Sequence, residues 1–311
     1  MGSPNVVSFN ADRDIPDLAG KVIIVTGGNI GLGKESILQL AKHRPAKIFM
    51  GSRSEAKAQE AIREIKQVVP NASIVFLKLD LASFASIKSA AVEVLASSTR
   101  LDILMNNAGI MATPADTTED GYEIQFGTNH MGHALLTKLL LPLLKKTAAE
   151  ANSDVRIINL SSSAHTQAPK TGLVLSEVKT SMSSTGTWVR YGQSKLANVY
   201  FTKHMAKLYP NIKSVAVHPG IVSTNLFSGP KKSFRLMTPI FTIATRFFFT
   251  RVDVGALGQL WAATGNKEEV KQGGFYYPVG LEFEAADIVN DQKMAEKLWD
   301  FTEKELREHG F

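Results

Sequence analysis

Tyr191 and Lys195 stand four residues apart in the run Tyr191-Gly192-Gln193-Ser194-Lys195, within a stretch that reads as helix. Residues at i and i+4 share a helix face, so the lysine ammonium lies beside the phenol. A free tyrosine has a pKa of roughly 10, too high for a base at neutral pH. A neighbouring ammonium favours the phenolate and moves the group toward a range useful for proton transfer. The spacing predicts a proton donor and acceptor at Tyr191, tuned by Lys195. Alone it is also a common helix-surface pattern, so it needs partners elsewhere in the chain.

A second chemical feature lies near the start. The apolar run Lys21–Thr26 leads into Gly27-Gly28-Asn29-Ile30-Gly31-Leu32-Gly33 and then a helical pattern. Glycines there let the backbone turn tightly and approach a pyrophosphate, whose charge favours a helix N-terminus. Gly27, Asn29, Gly31, Leu32 and Gly33 are therefore candidate dinucleotide contacts. The second strand ends in Gly51-Ser52-Arg53, where NAD enzymes usually place a carboxylate for the ribose 2′-hydroxyl. Arg53 suits a 2′-phosphate through charge-assisted hydrogen bonds, so NADP(H) is the expected cofactor. Asp80 and Leu81 follow the third strand, where a carboxylate can accept from the adenine amino group. Asn106-Asn107-Ala108-Gly109 follows the fourth; Asn107, Ala108 and Gly109 are small enough for close approach to a ribose.

The elements that must position these residues alternate along the chain. Strands are expected at Lys21–Thr26, Lys47–Met50, Ile74–Leu79, Ile103–Asn106, Val155–Leu160 and Ile212–His218. Helices are expected up to about His43, over Glu55–Val69, Phe84–Ala96 and Asn129–Lys146, and from near Tyr191. This rhythm predicts an α/β doubly wound (Rossmann) fold: a mostly parallel seven-stranded sheet with helices on both faces. Residues 1–311 read as a single dinucleotide-binding domain with a substrate-side insertion at about 229–251. The insertion holds PIFTIATRFFF, too short and too interrupted by Arg246 to span a bilayer. A core helix, a substrate lid and a membrane-contacting surface all suit that run.

Composition narrows the class. With no cysteine, the chain has neither disulfides nor thiol catalysis nor Cys-ligated metal. The formal charge of +6 is diffuse, with no basic tract interleaved with aromatics, so no nucleic-acid partner is expected. Met1–Leu18 is polar and lacks an apolar signal core, so a cytoplasmic protein without a transmembrane segment is expected. No closely spaced His/Asp/Glu set suggests a metal.

In order along the chain stand TGxxxGxG at Thr26–Gly33, NNAG at Asn106–Gly109, Asn129, Ser161–Ser163, YxxxK and Pro219-Gly220. Together they resemble the short-chain dehydrogenase/reductase family from about Gly20 to Thr224. FGTNHMGHALLT and VRYGQSKLAN are similar to the branch of retinol dehydrogenases and WW-domain oxidoreductases. The resemblance implies hydride transfer between nicotinamide and a carbonyl or alcohol. It makes Tyr191 the general acid/base and gives Lys195 two tasks, lowering the Tyr191 pKa and binding the nicotinamide ribose. Among the three serines it favours Ser162 as the group that polarises the substrate oxygen. Asn129 falls where the family holds a water in a proton relay through Lys195. Pro219, Gly220, the Val222 backbone and the Thr224 hydroxyl match groups that orient the carboxamide and phosphates.

The small-molecule carbonyl or alcohol is expected to be hydrophobic and fairly bulky, given the aromatic content of Phe227–Phe249. Specificity is expected from Met111–Asp120, Gln167–Thr187 and Gly229–Arg251. The same residues leave open a cyclisation or isomerisation, or a non-catalytic NADPH-binding regulator. Monomer and homodimer both remain open.

Overall fold

The computed structural model describes residues 7–222, 250–283 and 287–311. After a short helical turn at Ala11–Asp14 come β1 (Val22–Thr26), α1 (Gly31–Ala41), β2 (Lys47–Ser52), α2 (Glu55–Val68), β3 (Ile74–Lys78) and α3 (Phe84–Ser97). Then follow β4 (Ile103–Asn106), α4 (Gly132–Ala148), β5 (Val155–Leu160), α5 (Thr187–Leu208) and β6 (Ile212–Val217). The last elements are α6 (Val252–Thr264), β7 (Phe275–Tyr277), β8 (Leu281–Glu282) and α7 (Gln292–Glu308).

All strands join one sheet in the order β3-β2-β1-β4-β5-β6-β7-β8. Seven run parallel, and β8 pairs antiparallel with β7, Tyr277 opposite Leu281. The expectation of seven strands is thus one short among the described residues. Gly280, at φ +69°, lies in the turn that sends the chain back, and two residues are too few for any periodic signal. Every position of β1, β4 and β5 is buried, as suits strands covered on both faces. Edge strand β3 is only partly buried instead, with Ile74 and Leu77 inside and Val75 and Lys78 exposed.

The two faces carry separate apolar clusters. One packs α3, α4, α5 and α7 against residues such as Ile24, Leu104 and Ile157; the other packs α1, α2 and α6 against Ile23, Met105 and Ile158. In α2 the stripe Ala58, Ala61, Ile62 and Ile65 faces the sheet, and the Ser54 hydroxyl caps the helix by accepting from the Lys57 amide. Helix α5 has no such stripe, because it is buried almost continuously from Arg190 to Thr202. Its sequence is correspondingly mixed, with polar side chains satisfied inside the protein.

The helix expected from Asn129 begins with a different geometry. Gly127–Met131 form a π turn before α4 starts at Gly132. Such turns widen a helix locally and concentrate at functional sites. The Ser/Thr/Gly-rich stretch before α5 is pinned rather than loose: Leu173, Leu175, Val178 and Met182 are buried in the core. Thr224 and residues 229–249 of the insertion lie outside the described residues.

Candidate active site

Strand order reverses direction between β1 and β4, which opens a crevice beyond their carboxyl ends. A cleft of about 520 Å³ occupies this place. Gly27, Asn29, Gly31 and Leu32 form one side and Arg53, Asp80 and Leu81 another, with Asn107, Ala108 and Gly109 at the end of β4. Gly33 lies just beneath: a Cβ there would stand 2.4 Å from the Gly27 carbonyl oxygen and 2.6 Å from Asn107 Nδ2. Only glycine permits that approach of helix to turn, which is the cradle a pyrophosphate requires. Asn107 locks it by donating to the Thr26 carbonyl at 2.7 Å. The residues present fit a dinucleotide.

The Arg53 side chain is exposed and makes no ion pair among the described residues. Lys57, in the first turn of α2, lines the same end of the cleft. The sequence reading missed this second cation, though its i+4 spacing from Arg53 was visible. Asp80 caps the next turn by accepting from the Ala82 amide at 3.0 Å.

The proposed chemical group lies behind Gly109. A Cβ on Gly109 would be 3.2 Å from Asn129 Oδ1 and 3.4 Å from Lys195 Nζ, so the cleft and these side chains meet there. Lys195 Nζ stands 5.8 Å from the Tyr191 ring centre and donates to the Leu160 carbonyl at 2.9 Å. Ser162 Oγ accepts from the Ala164 amide at 3.1 Å, and its hydroxyl is the group that pulls the Tyr191 pKa down. Ser161 instead donates to the Lys195 carbonyl at 2.8 Å, and Ser163 begins a 3₁₀ turn. Geometry thus separates three serines that the sequence left adjacent. Gly192 lets the 3₁₀ turn that follows Ser162 pack close on α5, since a Cβ on it would lie 2.7 Å from both Ala164 O and Ala168 N.

Electrostatics differ from the simple ammonium–phenol picture. Burial pushes the Tyr191 phenol up to about 12, and its hydrogen bond with Ser162 pulls only partly in the other direction. Burial also pushes the Lys195 ammonium down to about 8. Desolvation dominates, so at neutral pH Tyr191 is a phenol ready to give a proton. Asn129 is fully engaged: Oδ1 accepts from the Ile110 amide at 2.9 Å, and Nδ2 donates to Ile110 O and Ser194 Oγ.

Pro219, Gly220 and Val222 sit past β6 and are not among the described residues that line the cleft. Val222 bridges to Thr250 and approaches Gly255, whose position is also close to Leu32. Around Tyr191, Met111, Ala112, Ala164 and Trp188 form an apolar wall, with Trp188 edge-on to the phenol at 6.2 Å.

A buried ion pair anchors the start of α5. Arg190 Nη1 lies 2.7 Å from Glu123 Oε1, with side-chain exposures of 3% and 0%. Arg190 also donates to Thr113 O and Thr185 O, tying both flanking loops to the turn before Tyr191. Burial pushes the Glu123 carboxyl up despite the Phe126 amide and Arg190. Arg190→Met leaves that carboxylate unpaired and is expected to cost about 3–5 kcal/mol. The folded state then holds a proton that the unfolded state releases above its ordinary carboxylate pKa. Stability loss should therefore be larger at pH 8 than at pH 5, which denaturant titrations at both values would check; a loss independent of pH would contradict the assignment.

Comparisons with known proteins agree with this architecture. The short chain dehydrogenase family profile matches residues 21–233. A short-chain dehydrogenase/reductase of Aspergillus calidoustus is 37% identical over 306 residues, covering 94% of this chain and 96% of its own. Human retinol dehydrogenase 14 is 35% identical over 316 residues, covering 96% and 90%. An NADPH-bound carbonyl reductase structure from chicken fatty liver superposes with a TM-score of 0.63 at 27% identity, covering 86% of this chain and 99% of that one. These relatives and the crevice at the β1/β4 switch place the chain among the dinucleotide-dependent oxidoreductases. The chain belongs to the short-chain dehydrogenase family. Among the described residues, no helix is long and apolar enough to cross a membrane.

Proposed function

We propose that this protein is an NADPH-dependent reductase of a ketone or aldehyde on a hydrophobic, fairly bulky small molecule, with alcohol oxidation as the reverse. The observation that carries this is the Tyr191 phenol, beside Ser162 and close to Lys195, immediately behind the dinucleotide cleft. Residues 1–311 act as one catalytic unit. The glycine turn at Gly27–Gly33 takes the pyrophosphate, Asp80 and Leu81 the adenine, and Asn107–Gly109 the adjoining ribose. Arg53 and Lys57 favour a 2′-phosphate over a bare hydroxyl.

When bound, nicotinamide supplies the hydride for the carbonyl carbon. Ser162 donates a hydrogen bond to the substrate oxygen, and Tyr191 gives that oxygen its proton. Lys195 holds positive charge beside the phenol as it loses the proton. Asn129 keeps the Ile110 backbone, and with it the Gly109 loop, in place against Lys195. The decisive experiment follows nicotinamide absorbance across a panel of ketones and aldehydes. NADPH consumption with apolar carbonyls is the expected result, and none across the panel would overturn the proposal.

The wall beside Tyr191 supports the hydrophobic substrate class. Trp188→Ala removes its largest apolar surface, and burial of such a side chain is worth about 1.5–3 kcal/mol. KM for aryl and long-chain ketones should rise roughly tenfold or more, while that for short aliphatic aldehydes changes little. Equal losses for both series would remove Trp188 from the substrate side.

A further inference from the structure

His133 is buried, and its two ring nitrogens face in opposite directions along one line of hydrogen bonds. Nδ1 lies 2.9 Å from the Asn129 carbonyl oxygen, which can only accept, so Nδ1 carries the proton. Nε2 lies 2.9 Å from Thr26 Oγ1. Burial holds the ring neutral, pushing its pKa down to about 4, which leaves Nε2 to accept from the threonine hydroxyl. Thr26 Oγ1 in turn accepts from the Ala108 amide at 2.9 Å. On the other side, Asn129 Nδ2 donates to Ser194 Oγ at 2.9 Å, and that hydroxyl donates to the Tyr191 carbonyl at 2.7 Å.

The line starts at the dinucleotide crevice and ends at the backbone of Tyr191. Thr26, Asn129 and Ser194 are wholly buried; the Thr26 hydroxyl also lies 3.4 Å from the Met105 carbonyl, and its proton goes to the nearer acceptor, Nε2 at 2.9 Å. No charged group takes part. The π turn at Gly127–Met131 widens the helix at Asn129, the residue whose carbonyl takes the imidazole proton.

We propose that His133 is a positioning residue that couples the β1/β4 crevice to Asn129 and the Tyr191 helix. The proposal rests on the NADPH reading of the crevice. Its two nitrogens do separable work. The Nδ1 bond sets Asn129, and through it the Ile110 backbone and Ser194, so it governs the reacting geometry. The Nε2 bond sets the Thr26 hydroxyl and the Ala108 amide, so it governs the dinucleotide edge.

Three variants divide these tasks. His133→Phe keeps the shape and loses both bonds. His133→Asn can reach only the Nδ1 partner, and His133→Gln only the Nε2 partner. Turnover of an apolar ketone, NADPH dissociation constants from fluorescence titration, and melting temperature are measured for each. His133→Phe should lose about tenfold to a hundredfold in kcat, the scale expected of a small misplacement, and bind NADPH several-fold more weakly. His133→Asn should recover most of kcat but not the affinity, and His133→Gln the affinity but not kcat. Parallel losses that track melting temperature in all three variants would reduce His133 to a core residue and overturn the coupling, as would no change in any. If the unsubstituted protein binds NADPH but the split is missing, the coupling alone fails; if it binds no NADPH, the cofactor reading fails first and takes the coupling with it.

Discussion

Tyr191→Phe should lower turnover by about 10³-fold, within the range that a positioned general acid contributes, while NADPH affinity stays within a few-fold. The phenyl ring keeps its contacts with Met111, Ala112, Ala164 and Trp188, so the fold has no reason to give way. Only the hydroxyl is lost, together with its bond to Ser162. Stopped-flow or steady-state nicotinamide absorbance measures the rate, and fluorescence titration measures cofactor affinity. A variant with full activity would remove Tyr191 as the proton source. The unsubstituted protein adds a pH signature. Tyr191 remains a phenol well past neutrality, since burial lifts it to about 12, whereas Lys195 gives up its proton near 8. Reductive turnover should therefore hold steady below about 8 and fall above it, as the ammonium that supports the departing proton is neutralised. Tyr191 ionisation alone would put the fall some four pH units higher.

Arg53→Asp should weaken NADPH binding by about 10²-fold or more and leave NADH within a few-fold. Each hydrogen bond to a charged group is worth about 1.5–3 kcal/mol, and two are lost to a carboxylate that repels the 2′-phosphate. Roughly 1.4 kcal/mol corresponds to a tenfold change in affinity. Lys57, at the same end of the cleft, keeps the loss from being complete. Titration of both nucleotides against the single variant gives the ratio directly. Equal weakening of the two would show that Arg53 does not read the 2′ position.

Much of this site was legible before any coordinates. Glycines after a buried strand, Arg53 at the end of β2, and Tyr191 four residues before Lys195 each follow from local rules. Those rules need only chain geometry: a tight turn, a strand end, a helix face. The strands Ile103–Asn106 and Val155–Leu160 were legible to the residue because both are short, mostly apolar runs rich in Ile, Leu and Val, even though Arg156, Asn159 and Asn106 are buried within them. The weak places were equally physical. Strand β8 has two residues and no period to detect, and α5 is too deeply buried to show an amphipathic stripe.

What the sequence determined by itself, then, is the doubly wound order of elements and the residue types at the strand ends, since both depend on neighbours within a few positions. Tertiary structure decided which of three adjacent serines meets Tyr191, and that Arg190 pairs with Glu123 beneath the Tyr191 helix. It also joined His133 to Thr26 across 107 positions and made burial, rather than the nearby ammonium, the dominant influence on the phenol. Desolvation and long-range hydrogen bonds depend on what the fold brings together, and no local pattern in the chain records them.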